Sequence, residues 1–151
     1  MQMIINFLSS SPEQTFKLGE NIGKCLHGDE IFLLSGDLGA GKTLLTKGIA
    51  SAIGIDPKEV VSPSFTLMNR FEGKFLLFHI DLYRLGDTIN GIIPEMEDYI
   101  GDGVMIIEWA QYLDISYYRL KNAVAVQFQI TTGDDREIRI ETALEYLHIC
   151  T

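Results

Sequence analysis

Basic residues, cysteine and long apolar runs are all scarce in this 151-residue chain, and each shortage excludes something. Lys and Arg number 12 against 21 Asp and Glu, a formal net charge of -9. Nucleic-acid binding rests on clustered Lys and Arg that neutralise phosphates, so direct contact is not expected, although a role beside nucleic acid is compatible with this balance. Cys25 and Cys150 lie near opposite ends with no metal-ligand spacing, so reduced thiols are expected rather than a zinc site or a disulfide framework. No apolar run approaches the roughly 18 residues of a membrane span. Met1 to Leu8 lacks a basic flank and runs straight into Ser9-Ser10-Ser11-Pro12, unlike a secretory signal. A soluble cytoplasmic protein with no membrane association is the expectation. With 46% hydrophobic and 22% charged residues, disordered, collagen-like and coiled-coil classes do not fit. Internal repeats and low-complexity linkers are also lacking, and the length suits one domain over residues 1–151.

What is there alternates between strand-like and helix-like segments. A short strand over Met3 to Phe7 is followed by a helix from Pro12 to His27, with Ser11 as N-cap, Pro12 at the first helical position and Gln14 completing a capping box. Thr15, Leu18, Ile22, Cys25 and Leu26 recur at helical spacing and Gly28 supplies a stop. Ile31 to Leu34 is a brief continuous apolar run, as in a strand buried on both faces, and Thr43 to Ile53 reads as a helix ending at Gly54. Ile55 to Ser64 reads as a loop. Phe65 to Phe71 and Phe75 to Ile80 form a hairpin around Glu72-Gly73-Lys74. Gly86 to Pro94 reads as loop, Glu95 to Ile100 as a short helix and Val104 to Ile107 as a second doubly buried strand. Ala123 to Thr131 and Arg136 to Glu141 flank the turn Thr132-Gly133-Asp134-Asp135. The fold class is therefore α/β, a three-layer domain with a mixed central sheet and antiparallel hairpin additions.

The most specific local signal is Gly36-Asp37-Leu38-Gly39-Ala40-Gly41-Lys42-Thr43, which matches G-x-x-x-x-G-K-[ST] at every fixed position. It follows a buried strand and opens a helix, where glycines let backbone N–H groups curl around phosphate oxygens and the helix N-terminus adds positive potential. This makes the domain P-loop NTPase-like, with Gly36 to Leu44 as nucleotide-binding residues. Lys42 is expected at the β- and γ-phosphates and Thr43 on Mg²⁺.

Phosphoryl transfer also needs a metal-holding carboxylate on a neighbouring strand and a group that positions the nucleophile. Asp81 ends the run Phe75 to Ile80, and Glu108 ends Val104 to Ile107. Glu108 is favoured as metal ligand, with Asp81 binding a metal-bound water or orienting the attacking one; the two roles are interchangeable at this level. Ser62-Pro63-Ser64-Phe65 offers two hydroxyls on a Pro-stiffened segment, a place for a nucleotide-sensing switch and equally for a plain turn. His79 has no metal-site spacing around it and reads equally well as a core or sheet histidine or as part of the site. Trp109, next to Glu108, belongs to the core or to the nucleotide edge.

Gly36 to Thr43, Ser62-Pro63-Ser64-Phe65, His79-Ile80-Asp81-Leu82-Tyr83-Arg84 and Ile107-Glu108-Trp109, in that order and in so short a chain, resemble the bacterial TsaE family. That family is the small ATPase of tRNA threonylcarbamoyladenosine biosynthesis. The resemblance runs from the Ser11 helix to the Arg136 hairpin. One departure is Ser64, where the family usually has Thr in S-P-T-F; the hydroxyl is kept and the rotamer-restricting methyl is lost. The resemblance implies ATP or ADP and Mg²⁺ as ligands, and weak ATP hydrolysis by the protein alone. It implies an accessory protein required for threonylcarbamoylation of adenosine 37 in tRNAs reading ANN codons. Such a protein acts on a complex of the threonylcarbamoyl-transferase subunit and its paralogous partner, TsaD and TsaB type, and meets tRNA only indirectly. By the same resemblance Lys42, Asp81 and Glu108 carry catalysis, and Thr43, Glu108 and Asp81 serve the metal. The segment around Ser64 would be switch I, that around Tyr83 and Arg84 switch II, and the adenine would lie near Ser11 and the turn before Arg136.

Two other readings compete. A small-molecule P-loop kinase would use lid arginines, but Arg70, Arg84, Arg119, Arg136 and Arg139 are scattered and form no Arg-rich lid segment. A nucleotide-dependent switch without useful hydrolysis would have little need of Asp81 and Glu108.

Overall fold

The computed structural model describes residues 2–61, 68–85 and 89–150. Among the described residues there are seven strands: β1 Met3–Ser9, β2 Ile31–Ser35, β3 Asn69–Glu72, β4 Leu76–Asp81, β5 Val104–Glu108, β6 Ala123–Ile130 and β7 Arg136–Thr142. The helices are α1 Pro12–Gly23, α2 Lys42–Ala52 and α3 Ile89–Tyr99. The strands form one sheet in the order β1-β7-β6-β2-β5-β4-β3. The middle four, β6, β2, β5 and β4, are mutually parallel, whereas β1, β7 and β3 add antiparallel margins. This is the mixed sheet with hairpin additions that the sequence pattern predicts.

Strand alternation sorts the side chains into two cores. Phe32, Leu34, Leu77, Val104, Ile106, Val124 and Val126 face α1 and α2, while Ile31, Leu33, Phe78, Ile80, Met105 and Ile107 face the side carrying α3. Both sides are dry, which is why β2 and β5 read as unbroken apolar runs. Helices α1 and α2 approach backbone to backbone. A Cβ at Gly19 would collide with the Leu45 carbonyl oxygen, and one at Gly48 with that of Phe16. No larger residue fits at either crossing position.

Several boundaries differ from the sequence reading. Helix α1 stops at Gly23 instead of His27, and residues 24–30 turn the chain into β2. Helix α3 begins at Ile89, so a segment read largely as loop is helical with Pro94 inside it. Proline forfeits only the bond to the carbonyl four residues back, near the start of this helix, and burial of Ile92 and Met96, one turn apart, outweighs that loss. Residues 62–67 and 86–88, including the proposed switch residue Ser64, lie outside the described residues. Among the described residues no helix is long and apolar enough to cross a membrane.

The cysteines also depart from expectation. Cys25 and Cys150 are joined in a disulfide, with Cα atoms 6.4 Å apart across 125 residues of sequence. The pairing is set by the C-terminal 3-10 helix 145–150, which docks beside the end of α1: Tyr146 stacks on His27 at 3.9 Å between ring centroids and donates its hydroxyl to the Glu30 carboxylate. Fully buried Glu30 also accepts from the backbone N–H groups of His27, Gly28 and Asp29. Burial alone would push the Glu30 carboxyl up, but these donors hold it below the usual carboxylate range.

A depressed carboxyl pKa supplies stability above the unfolded-state value of about 4.3 and loses it as pH falls through the folded value. Glu30→Gln should therefore cost about 2 kcal/mol at pH 7 in urea unfolding. It should also flatten the acid limb of the stability profile; an acid limb as steep as that of the unaltered protein would contradict this role for Glu30.

Candidate functional site

Strand β2 ends at Ser35, and after six intervening residues α2 begins at Lys42. The intervening loop turns on glycines whose φ angles no other residue adopts readily: 145° at Gly36, 78° at Gly39 and 110° at Gly41. Lys42 is 5% exposed, and its ammonium donates to the carbonyl oxygens of Gly36 at 2.7 Å and Asp37 at 2.8 Å. The same Nζ lies 4.1 Å from the centre of the Trp109 ring. Burial pushes the Lys42 pKa down, and the negative charges of Glu108, Asp81 and Asp37 act against that shift.

Register brings the carboxylates to this loop. Leu34 and Asp81 both align with Glu108, so β2, β5 and β4 end side by side. Glu108, 2% exposed, shares the face of Val104 and Ile106 and points to the α2 side. One of its oxygens, Oε1, accepts from Thr43 Oγ1 at 2.7 Å, and the other, Oε2, lies 2.5 Å from His79 Nε2. Asp81 is 7% exposed, and its Oδ1 accepts from the Tyr83 backbone N–H at 3.1 Å. Trp109 follows Glu108 in a left-handed conformation with φ 61°, the only such non-glycine among the described residues. That geometry costs about 1–3 kcal/mol. It turns the indole over the loop, between Tyr83 at 4.7 Å and Tyr112 at 6.0 Å.

A cleft of about 490 Å³ is lined by residues 38–44 together with Asp81, Tyr83, Glu108 and Trp109. Such a volume suits a small-molecule ligand. Behind the loop, a hollow of about 80 Å³ is bounded by Ser11, Pro12, Thr15, Asp134 and Arg136. The Arg136 guanidinium donates to the carbonyl oxygens of Gly39, Gly133 and Asp135, tying the β6–β7 turn to the loop. The hydroxyl of Ser11 caps α1 by accepting from the Gln14 N–H, while Gln14 Oε1 accepts from the Ser10 N–H. Leu38 projects outward at 72% exposure and Leu44 lines both hollows.

The sequence-predicted residues thus come together around one loop, apart from Ser64, which is outside the described residues. Sequence reasoning left His79 open between a core or sheet histidine and a part of the site; it contacts Glu108. Its spacing of two from Asp81 carried the signal, because residues i and i+2 of a strand share a face.

A glycine loop between a doubly buried parallel strand and a helix, with acids ending the adjoining strands, defines the P-loop class of α/β protein. Residues 9–139 match the family model of the Threonylcarbamoyl adenosine biosynthesis protein TsaE. The chain belongs to the TsaE family, whose members take part in tRNA threonylcarbamoyladenosine biosynthesis. It is 40% identical over 113 residues to the tRNA threonylcarbamoyladenosine biosynthesis protein TsaE of Aquifex aeolicus, covering 74% of this chain and 80% of that protein. The namesake of Treponema pallidum is 32% identical over 136 residues, covering 88% and 97%. Among solved structures, Bacillus subtilis YdiB superposes with a TM-score of 0.72 at 25% identity, covering 99% of this chain and 93% of that one.

Thr43→Val keeps the side-chain shape but removes the hydroxyl donor from a buried carboxylate oxygen. The expected cost is about 1–3 kcal/mol in denaturant unfolding of the nucleotide-free protein. Unchanged stability would mean that Thr43 does not help to hold Glu108.

Proposed function

We propose that the protein is a Mg²⁺-dependent ATPase that serves tRNA threonylcarbamoylation through partner proteins. The observation that carries this reading is the 2.7 Å hydrogen bond from Thr43 to Glu108, which joins the first residues of α2 to the end of β5 beside a glycine-lined loop. In a P-loop site the loop threonine and a strand-end acid hold the cation together. The donor set fits Mg²⁺: a hydroxyl and two carboxylates are hard oxygen ligands, and Mg²⁺ is usually held by one or two carboxylates plus substrate phosphates. The positive φ angles of the loop and the α2 N-terminus suit a polyphosphate.

In this reading Gly36 to Leu44 bind the phosphates through backbone N–H groups. Lys42 exchanges its two carbonyl partners for phosphate oxygens. Thr43 and Glu108 hold Mg²⁺, which supplies charge neutralisation on the phosphates when bound. Asp81, aligned with Glu108, orients the water that attacks the γ-phosphorus as the ADP oxygen leaves. Trp109 covers the phosphate end, and the hollow bounded by Ser11 and Arg136 takes the adenine. Ser64, outside the described residues, is the proposed switch residue.

The partners in this proposal are the threonylcarbamoyl-transferase subunit and its paralogue, of TsaD and TsaB type, modifying adenosine 37 of tRNAs that read ANN codons. A net charge of -9 leaves the tRNA contacts to them.

Phosphate release from Mg-ATP, measured with and without the two partners, tests the proposal: a slow rate that rises with partners supports it, and no release under either condition sinks it. Asp81→Ala and Glu108→Ala should each lower that rate at least about tenfold. Lys42→Met should abolish nucleotide binding, read by equilibrium dialysis with ADP, because its ammonium is lost from the loop.

A further inference from the structure

Histidine 79 is completely buried in β4 on the face turned to α2. Its neighbour across the parallel ladder is Ile106, which places Glu108 on the diagonal, two residues further along the same face of β5. The imidazole reaches along that diagonal, with Nε2 2.5 Å from Glu108 Oε2. An ionised carboxylate only accepts, so Nε2 carries the hydrogen of this contact. Nδ1 is buried and has no hydrogen-bond partner among the described residues.

An imidazole kept only for packing would be a poor choice here. Leaving a buried polar atom unpaired is costly, and the neighbouring inward positions in β4 and β5 use Leu77, Val104 and Ile106 without that cost. Among the described residues, the one polar service His79 performs is to Glu108. That carboxylate also accepts from Thr43 through Oε1, so donors hold it at both oxygens and its rotation is blocked. In metal sites generally, hydrogen bonds to a ligand's other atoms orient that ligand toward the metal.

We propose that His79 is a positioning residue for Glu108, and that its Nε2–H fixes the carboxylate in the orientation from which Thr43 and Glu108 together receive a divalent cation. The proposal rests on the reading of Glu108 as a metal-holding group. It does not place His79 on the cation or on the nucleotide.

Two variants separate positioning from packing. His79→Leu fills the space and removes the donor, while His79→Gln presents an amide N–H at similar reach. Binding of Mn²⁺ in the presence of ADP is read by electron paramagnetic resonance of the free ion, and binding of ADP in EDTA by equilibrium dialysis. His79→Leu is expected to weaken Mn²⁺ binding about 10- to 100-fold with metal-free ADP binding unchanged, and His79→Gln to recover most of that loss. Mn²⁺ binding by His79→Leu as tight as in the unaltered protein would overturn the role of His79 while leaving the metal site in place. If the unaltered protein itself fails to bind Mn²⁺ with ADP, the metal-site reading falls and this proposal falls with it. A third measurement needs no variant and no ligand: long-range ¹H–¹⁵N spectra of the nucleotide-free protein should show His79 as the Nε2–H tautomer with a slowly exchanging Nε2 proton. An Nδ1–H tautomer would overturn the proposal even if His79→Leu does not fold.

Discussion

Glu108 stands at the end of the central strand pair with both carboxylate oxygens out of water, and much of the surrounding architecture makes that burial tolerable. Removing a carboxylate from water costs several kcal/mol unless donors and opposite charge replace the solvent. Here Thr43 arrives from the start of α2, His79 from the adjoining strand, and the Lys42 ammonium lies close enough for its charge to be felt. Those three groups come from three different elements. They meet only because β2, β5 and β4 are parallel and in a register that ends them together. A shift of one residue in any of these strands would turn its inward groups to the opposite core.

The loop shows the complementary constraint. Lys42 is a cation held by two carbonyl oxygens of its own loop and by the face of Trp109, in surroundings that push its pKa down. The site therefore keeps a buried positive charge close to two buried carboxylates. The strained backbone of Trp109 and the stack of Tyr83, Trp109 and Tyr112 close one side of that arrangement. Under the proposed function, phosphates would meet the Lys42 charge and a divalent cation would meet the two carboxylates.

The parts that were legible in the sequence have strong local causes. β2 and β5 were visible because strands buried on both faces must be apolar throughout, and the loop was visible because its backbone angles demand glycine at fixed spacing. Asp81 and Glu108 stood out as acids at the ends of such strands. Other parts were not visible because their causes are not local. The helix over 89–99 contains Pro94, so local preference argued against what burial of Ile92 and Met96 decides. The disulfide between Cys25 and Cys150 depends on Tyr146 docking against His27 and Glu30, which no spacing of cysteines announces. Gly19 and Gly48 set how closely α1 and α2 approach, a requirement that arises only once the two helices pack together.

By itself, then, the sequence determined the α/β class, the phosphate-loop motif and the carboxylates available to it, since each follows from side-chain periodicity or from the stereochemistry of a few neighbouring residues. Only the tertiary structure decided that Glu108 bonds Thr43, that His79 bonds Glu108 and that Arg136 reaches the loop from 97 residues away in sequence. Those contacts depend on strand order and register, which are properties of the whole sheet and are written in no single segment.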